Sequence, residues 1–485
     1  MSHVTNRLCC VGEDVVVRFL NLVLLCLLIG PVWPATGADS EVPSSRQTVT
    51  LSFAPVVKRT APAVVNIYTK KVIVTRETLP LMADPFFRRF LGDAPGFGIP
   101  RERIQNSLGS GVILRPDGVV VTNNHVIDGA AEITVVLSDR REFEAELVGA
   151  DPRTDLAVLR LKDGPKSLPF LELADSGALE VGDLVIAIGN PFGVGQTVTS
   201  GIISALARTN IGVSDYRSFI QTDAAINPGN SGGALVTTDG RLAGVNTAIY
   251  SRDGGSLGLG FAIPSNMVNT TVKSILATGK AVRPWLGAGG QVADSKLVES
   301  LGLDRPGGVL VARIDPDSPA ERAGLKRGDV IIAVNGHDVM DWQALRYQIA
   351  SLELGSRAEL SVIRKGKPVQ LAFALEPPPE NPPRQETEIK GPRNPLDGIR
   401  LANANQALAE ETGWDVFTGQ VVVTAVRRNG YAVRLGIQPG DVLQSINGKK
   451  VIAVPDAVSL LEQPAPGGWL ITVLRDGNVM NFRIR

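Results

Sequence analysis

Cysteine and histidine are nearly missing from this chain. Of 485 residues, only three are Cys and three are His. Cys9, Cys10 and Cys26 all lie in the first thirty residues. Nothing after them can form a disulfide, hold a cysteine-ligated zinc or supply a thiolate nucleophile. His3, His125 and His337 are scattered, which argues against a histidine-cluster metal site and leaves few candidates for a general base. No metal and no cofactor is implied. An excess of one charge is also lacking, since 49 Lys+Arg balance 49 Asp+Glu. That balance argues against nucleic acid or an anionic membrane surface as the main partner. Aromatic residues are scarce at 5%, while Gly 51 and Pro 32 are plentiful, which points to many turns and short strands. With 44% hydrophobic residues the chain can bury sizeable cores, and its length suggests about three domains.

One apolar run stands out, Phe19 to Trp33, preceded by Arg7 and Arg18 and followed by Pro34-Ala35-Thr36-Gly37-Ala38. Basic segment, apolar segment and small residues follow each other as in a secretory signal, here residues 1–38. Glu13 and Asp14 depart from a purely basic start. The run would reach roughly 22 Å as a helix, short of the ~30 Å hydrocarbon core. Export with cleavage is the expectation, and retention as a membrane anchor is the alternative. Losing the leader removes every cysteine, so the mature chain would be indifferent to an oxidising compartment.

From Thr48 to about Pro264, short apolar runs alternate with glycine-rich turns, among them Ala63–Tyr68, Gly111–Leu114, Ile133–Leu137 and Leu156–Leu159. This spacing predicts an antiparallel all-β domain, barrel or sandwich. Leu79–Asn106 reads as a long irregular insertion, with an aromatic-basic stretch at Asp84–Phe90. A helix is expected from Ser265, its N-cap, to a stop at Gly279. Beyond it the chain repeats itself. RAGLKRGDVIIAVNGHDV (322–339) aligns with RLGIQPGDVLQSINGKKV (434–451) at an offset of 112 residues. Each copy predicts a helix end, a Gly-Asp turn, a strand and an Asn-Gly turn. A proline-rich stretch between the copies, Glu376–Pro395, reads as a semi-rigid linker.

The strongest chemical signal is Asn227-Pro228-Gly229-Asn230-Ser231-Gly232-Gly233. Serine needs a base to become a nucleophile, and the reaction needs donors for the oxyanion that forms. Glycines let consecutive backbone N–H groups converge beside the hydroxyl. Ser231 is therefore the candidate nucleophile, and the N–H groups of Gly229 and Ser231 the candidate oxyanion hole. His125 is the only histidine of the β-rich region, and Asp155 opens an apolar strand. A carboxylate there can hold the imidazole in one tautomer; Asp151 is a rival. Gly229-x-Ser231-x-Gly233 also fits the nucleophile elbow of α/β-hydrolases, but that fold needs an acid and then a histidine after the serine. Only His337 follows, in the Asn-Gly turn of a repeat. The order His, Asp, Ser on an all-β scaffold is that of chymotrypsin.

On these residues the chain resembles the HtrA/Deg serine proteases. The resemblance runs from about Phe53 to Arg485 and rests on TNNHV around His125, DLAVL from Asp155, FIQTDAAINPGNSGGAL (219–235) and GLGFAIPSN (258–266). It implies a mainly β fold: a chymotrypsin-like double β-barrel (48–280), a PDZ domain (281–376), the linker (377–395) and a second PDZ domain (396–485). It implies a triad of His125, Asp155 and Ser231, unfolded polypeptides as substrates, periplasmic export, possible chaperone activity, and a homotrimer or larger cage. Asn230 stands where many zymogens carry an aspartate, so activation by clipping is not expected. Arg208 matches a regulatory-loop arginine; a solvated surface charge is the alternative. Ile226 and Ile249 are expected to line the primary pocket and favour small aliphatic side chains; core packing is their alternative. Trp285-Leu286-Gly287-Ala288 fits a loop that captures a peptide's C-terminal carboxylate, unless Trp285 is simply a core residue. Leu396-Asp397-Gly398-Ile399 fits that loop only loosely, which leaves peptide binding by the second module open.

Overall fold

Some strands alternate buried apolar with exposed residues, and this fixes the face that turns inward. In Glu132–Val136, for example, Ile133 and Val135 are buried while Glu132 is exposed. Others, such as Val119–Thr122 and Leu156–Leu161, bury successive residues. A computed structural model describes residues 52–78, 98–190, 195–208, 218–227, 229–249, 258–391, 394–414, 416–427 and 430–484. The leader and the Asp84–Phe90 stretch lie outside them.

Six strands close a first barrel: Val64–Thr78 (β1), Gly98–Arg115 (β2), Val119–Thr122 (β3), Glu132–Val136 (β4), Glu142–Asp151 (β5) and Leu156–Leu161 (β6). Their spatial order is β1-β2-β3-β6-β5-β4. Ile67, Ile113, Val120, Val135 and Leu159 fill its core. Six more close a second barrel: Leu184–Gly189 (β7), Thr197–Arg208 (β8), Phe219–Thr222 (β9), Ala234–Thr237 (β10), Leu242–Ile249 (β11) and Gly260–Pro264 (β12). Their order is β10-β11-β12-β9-β8-β7. The β-rich region is thus a double barrel.

Two sequence expectations shift. Residues 98–106, expected to be irregular, extend the first hairpin: β1 and β2 pair without a break from Val64↔Val112 to Thr78↔Gly98. Backbone pairing is indifferent to the mixed polar side chains that hid this strand from a pattern reading. The helix Ser265–Thr278 does end at Gly279, whose φ of 78° makes it a left-handed cap. Its N-cap, however, is Pro264, and the Ser265 hydroxyl instead donates to the Ala174 carbonyl (2.7 Å).

The two repeats build two further sheets. The first runs Ala288–Val292 (β13), Val309–Ile314 (β14), Val330–Val334 (β15), His337–Asp338 (β16), Arg357–Arg364 (β17) and Lys367–Ala374 (β18). Its order is β13-β14-β15-β17-β18, with β16 on β15, so β13 is an end strand. The helix Trp342–Ala350 packs against this sheet, with Leu345 and Ile349 in the core. The second sheet runs Thr387–Glu388 (β19), Ile399–Asn403 (β20), Val421–Val426 (β21), Val442–Ile446 (β22), Lys449–Lys450 (β23), Trp469–Arg475 (β24) and Asn478–Ile484 (β25). Here β20 is not an end strand, because β19 from the proline-rich stretch lies outside it. The helix Val454–Glu462 covers this core.

The Gly-Asp turns shared by the repeats carry matching ion pairs. Asp329 accepts two bonds from Arg364 (2.7 and 2.8 Å), and Asp441 accepts two from Arg475 (2.6 and 2.7 Å). Both aspartates are buried. Each arginine also donates to a glycine carbonyl in its own repeat, Gly324 or Gly436.

Candidate active site

β3 ends at Thr122, and the chain turns at once into a short helix, Asn124–Ile127, that carries His125. Asp155 stands immediately before β6 in a left-handed backbone conformation, φ 59°, which is costly for a non-glycine residue. Five bonds hold it there. Its carbonyl accepts from the Asn124 N–H and the Asn123 amide (both 3.0 Å), which ties it to the helix start. Its carboxylate accepts from the His125 backbone N–H (2.9 Å) and meets His125 Nδ1 at 2.7 Å. The Thr247 hydroxyl, from β11 of the second barrel, donates to the same carboxylate oxygen (2.7 Å). Asp155 is buried, whereas the imidazole is half exposed and open to a substrate.

Asp151, the rival carboxylate, faces elsewhere. It is buried, takes the Arg153 N–H and the Thr154 hydroxyl, and forms an ion pair with Arg283. Burial pushes the Arg283 guanidinium down to about 10, against the opposing pull of Glu410.

Ser231 precedes β10 in a turn that only glycines permit. Gly229 has φ 98° and Gly232 φ 82°, and a Cβ at Gly232 would collide with the Ser110 carbonyl. The turn is stitched to the first barrel: the Ser110 N–H donates to the Ser231 carbonyl (2.8 Å), and the Ser110 hydroxyl to the Gly229 carbonyl (2.6 Å). Backbone N–H groups of Asn230, Gly232 and Gly233 are used within the fold. Those of Gly229 and Ser231 donate to none of the described residues. The Ser231 hydroxyl donates to the Thr247 carbonyl (3.1 Å). No hydrogen bond joins it to His125 among the described residues, as is common before substrate tightens such a site.

The other expected site residues fall as follows. Ile226 is buried in the second-barrel core with Val185, Ile203 and Ile220. Ile249 ends β11 and Arg208 ends β8, opposite Phe219; the side chains of both lie outside the described residues. Gly287, φ 73°, cannot take a side chain without colliding with Ser318. Trp285 is half-buried, its N–H bonded to the Glu376 carbonyl (2.8 Å). With Leu286 and Ala288 it lines a cavity of about 130 Å³ that runs along to Trp342, Leu345 and Ile349. Glu410, from the second repeat, closes one side of this cavity and pairs with Arg346 (3.4 Å) and Arg153 (3.7 Å). The sequence reading singled out neither Thr247 nor Ser110. Among the described residues no group of side chains could hold a metal ion, and no helix is long and apolar enough to cross a membrane.

Two β-barrels that share a serine, a histidine and an aspartate, followed by two small peptide-module sheets, define a trypsin-like serine peptidase with PDZ domains. Family profiles agree: "Trypsin-like peptidase domain" matches residues 109–245, and "PDZ domain" matches 284–375 and again 422–475. A probable periplasmic serine endoprotease DegP-like of Marinomonas sp. (strain MWYL1) is 40% identical over 441 residues, 88% of this chain and 92% of that protein. The periplasmic serine endoprotease DegP of Escherichia coli (strain K12) is 38% identical over 458 residues, 90% of this chain and 92% of that protein. Among solved structures, the HtrA-type protease AlgW with decapeptide is 47% identical, with a TM-score of 0.50, covering 68% of this chain and 99% of its own. The chain belongs to the HtrA/DegP family of serine endoproteases.

Proposed function

We propose that His125, Asp155 and Ser231 form the catalytic triad of this endoprotease. The observation that carries the reading is the 2.7 Å contact between His125 Nδ1 and a buried Asp155 carboxylate. The Asp155 carboxylate accepts a hydrogen bond from His125 Nδ1–H and stays ionised, which holds the tautomer whose Nε2 is unprotonated and can act as a base. The Ser231 hydroxyl then leaves the Thr247 carbonyl, and its oxygen attacks the scissile carbonyl as its proton passes to Nε2. The carbonyl oxygen becomes an oxyanion received by the Gly229 and Ser231 N–H groups. The imidazolium returns that proton to the leaving amine, and a water deprotonated by His125 hydrolyses the acyl-enzyme. Fluorophosphonate labelling and casein cleavage test this reading. Wild type should be labelled at Ser231 and should cleave; Ser231→Ala should do neither, and near-normal cleavage by it would overturn the assignment.

The finer readings belong to the same proposal. The substrates are unfolded polypeptides cut after small aliphatic residues. Ile249 is the proposed pocket residue, whereas Ile226 packs in the second-barrel core, its alternative role. The segments are a leader (1–38), protease domain (48–280), PDZ domain (281–376), linker (377–395) and PDZ domain (396–485). Residues 384–389 of the linker are added to the second module's sheet rather than spacing the modules apart. Export to the periplasm is supported by the leader pattern and by the relatives' names. Family membership supports a homotrimer or larger cage, chaperone activity, Arg208 as part of a regulatory loop, and capture of C-terminal peptides at Trp285–Ala288.

A further inference from the structure

The end strands of the two PDZ sheets differ in one respect. In the first module no described strand pairs on the outer edge of β13, beside the helix Trp342–Ala350, and a cavity runs along that edge. In the second, the corresponding edge of β20 is covered by residues 384–389 of the proline-rich stretch. Thr387 pairs with Leu401 and Glu388 with Arg400, antiparallel. The Asn403 N–H donates to the Arg384 carbonyl (2.7 Å), and the Ile389 N–H to the Ile399 carbonyl (2.9 Å).

This added strand makes the contacts that a bound peptide end would make. Gly398, φ 89°, is the glycine of Leu396-Asp397-Gly398-Ile399. Its N–H donates to the Ile389 carbonyl (2.9 Å), where one oxygen of a terminal carboxylate would sit. The Ile389 side chain is buried in one cluster with Leu396, Ile399, Leu401, Val454 and Leu461, so it fills the apolar space between β20 and the helix Val454–Glu462. Glu386 and Glu388 face solvent, as alternate residues of a strand added to a sheet edge must. The chain then leaves the groove through exposed Lys390 and through Gly391, whose N–H is taken by the Asp397 carboxylate (2.9 Å).

We infer that Arg384–Ile389 is an internal ligand of the second module, and that its groove is a C-terminal-peptide site for an aliphatic last residue, kept filled by the chain itself. The loosely fitting loop is then a site with its occupant already in place. An occupant tethered so closely acts at an effective concentration in the millimolar range, so an external peptide competes poorly until the segment is displaced.

The test uses the full chain in a Ser231→Ala background, so that the probe is not consumed. The probe is the hexapeptide Arg-Gln-Glu-Thr-Glu-Ile, as free acid or C-terminal amide, with a photo-crosslinker at its N-terminus. Crosslinked residues are mapped by mass spectrometry, which separates the two modules. Ile389→Asp would place a carboxylate in the apolar space, and Thr387→Pro would break the strand. In both variants the free acid should label the second module at least about tenfold more than in the parent chain, and the amide should not. Equal labelling in parent and variants, or none in folded variants, would overturn the inference. If a variant loses the fold of this module, amide exchange in the parent chain decides. There, millimolar free-acid probe must speed exchange across residues 384–389 while the amide form does not; no change overturns the inference.

Discussion

The Thr247 hydroxyl donates to the Asp155 carboxylate at 2.7 Å and so ties β11 of one barrel to the acid of the other. The same residue's carbonyl accepts from Ser231. Thr247 thus fixes the orientation of Asp155 and gives Ser231 a resting partner. Removing a hydrogen bond to a charged, buried acceptor costs about 1.5 kcal/mol or more. Thr247→Val should therefore lower kcat roughly tenfold with KM little changed, and Thr247→Ser should restore most of it. Steady-state kinetics on a peptide substrate checks this, and unchanged kcat in the Val variant would remove Thr247 from the catalytic machinery.

Asp155 and Asp151 should separate cleanly on mutation. Asp155→Ala deprives His125 of its orienting carboxylate and should lower kcat by about 10⁴-fold. Asp151→Asn leaves the His125 contact intact and weakens the pair with Arg283, so it should cost stability rather than turnover. Breaking such a buried pair is worth about 3 kcal/mol. Paired measurements of kcat and thermal unfolding check both variants, and the reverse ranking in kcat would move the acid to Asp151.

The repeated Gly-Asp turns predict parallel losses in the two modules. Asp329→Asn and Asp441→Asn each remove the charge that Arg364 or Arg475 grips with two bonds. Because the arginines are partly exposed, each loss should be no more than the low end of the buried range, about 3 kcal/mol. Each variant should loosen its own module, read as faster amide exchange confined to that sheet. Exchange spreading equally through both modules would show that the pairs are not local supports.

Much of this architecture was legible because its signals are local. The His, Asp, Ser order, the glycines around Ser231 and the offset repeat are each written in short contiguous segments. What stayed hidden depends on partners far apart in the chain. Nothing in Asn246-Thr247-Ala248 indicates that Thr247 reaches Asp155, because the contact exists only once the two barrels dock. Ser110 reads as one polar residue in a strand until Gly229 arrives beside it. The prolines of 377–395 signal a linker, and no periodicity in Thr387–Ile389 is long enough to announce a strand that borrows its partner from β20.

The first module's groove should sense peptide ends through its glycine loop. On that reading Gly287 would let the backbone approach a carboxylate, and the cavity beside Trp342, Leu345 and Ile349 would take an apolar last side chain. Glu410 lines that cavity and pairs with Arg153, two residues before Asp155. A peptide entering the groove therefore meets a contact that leads to the acid's own loop. It can raise activity only as far as it prefers the competent arrangement over the resting one. Peptides ending in an apolar residue as free acids should stimulate casein cleavage, and their C-terminal amides should not. Gly287→Ala, strained at φ 73° and pressed against Ser318, should lose the ratio of stimulated to unstimulated rate. Equal stimulation by acid and amide, or a retained ratio in Gly287→Ala, would show that the loop does not read the carboxylate.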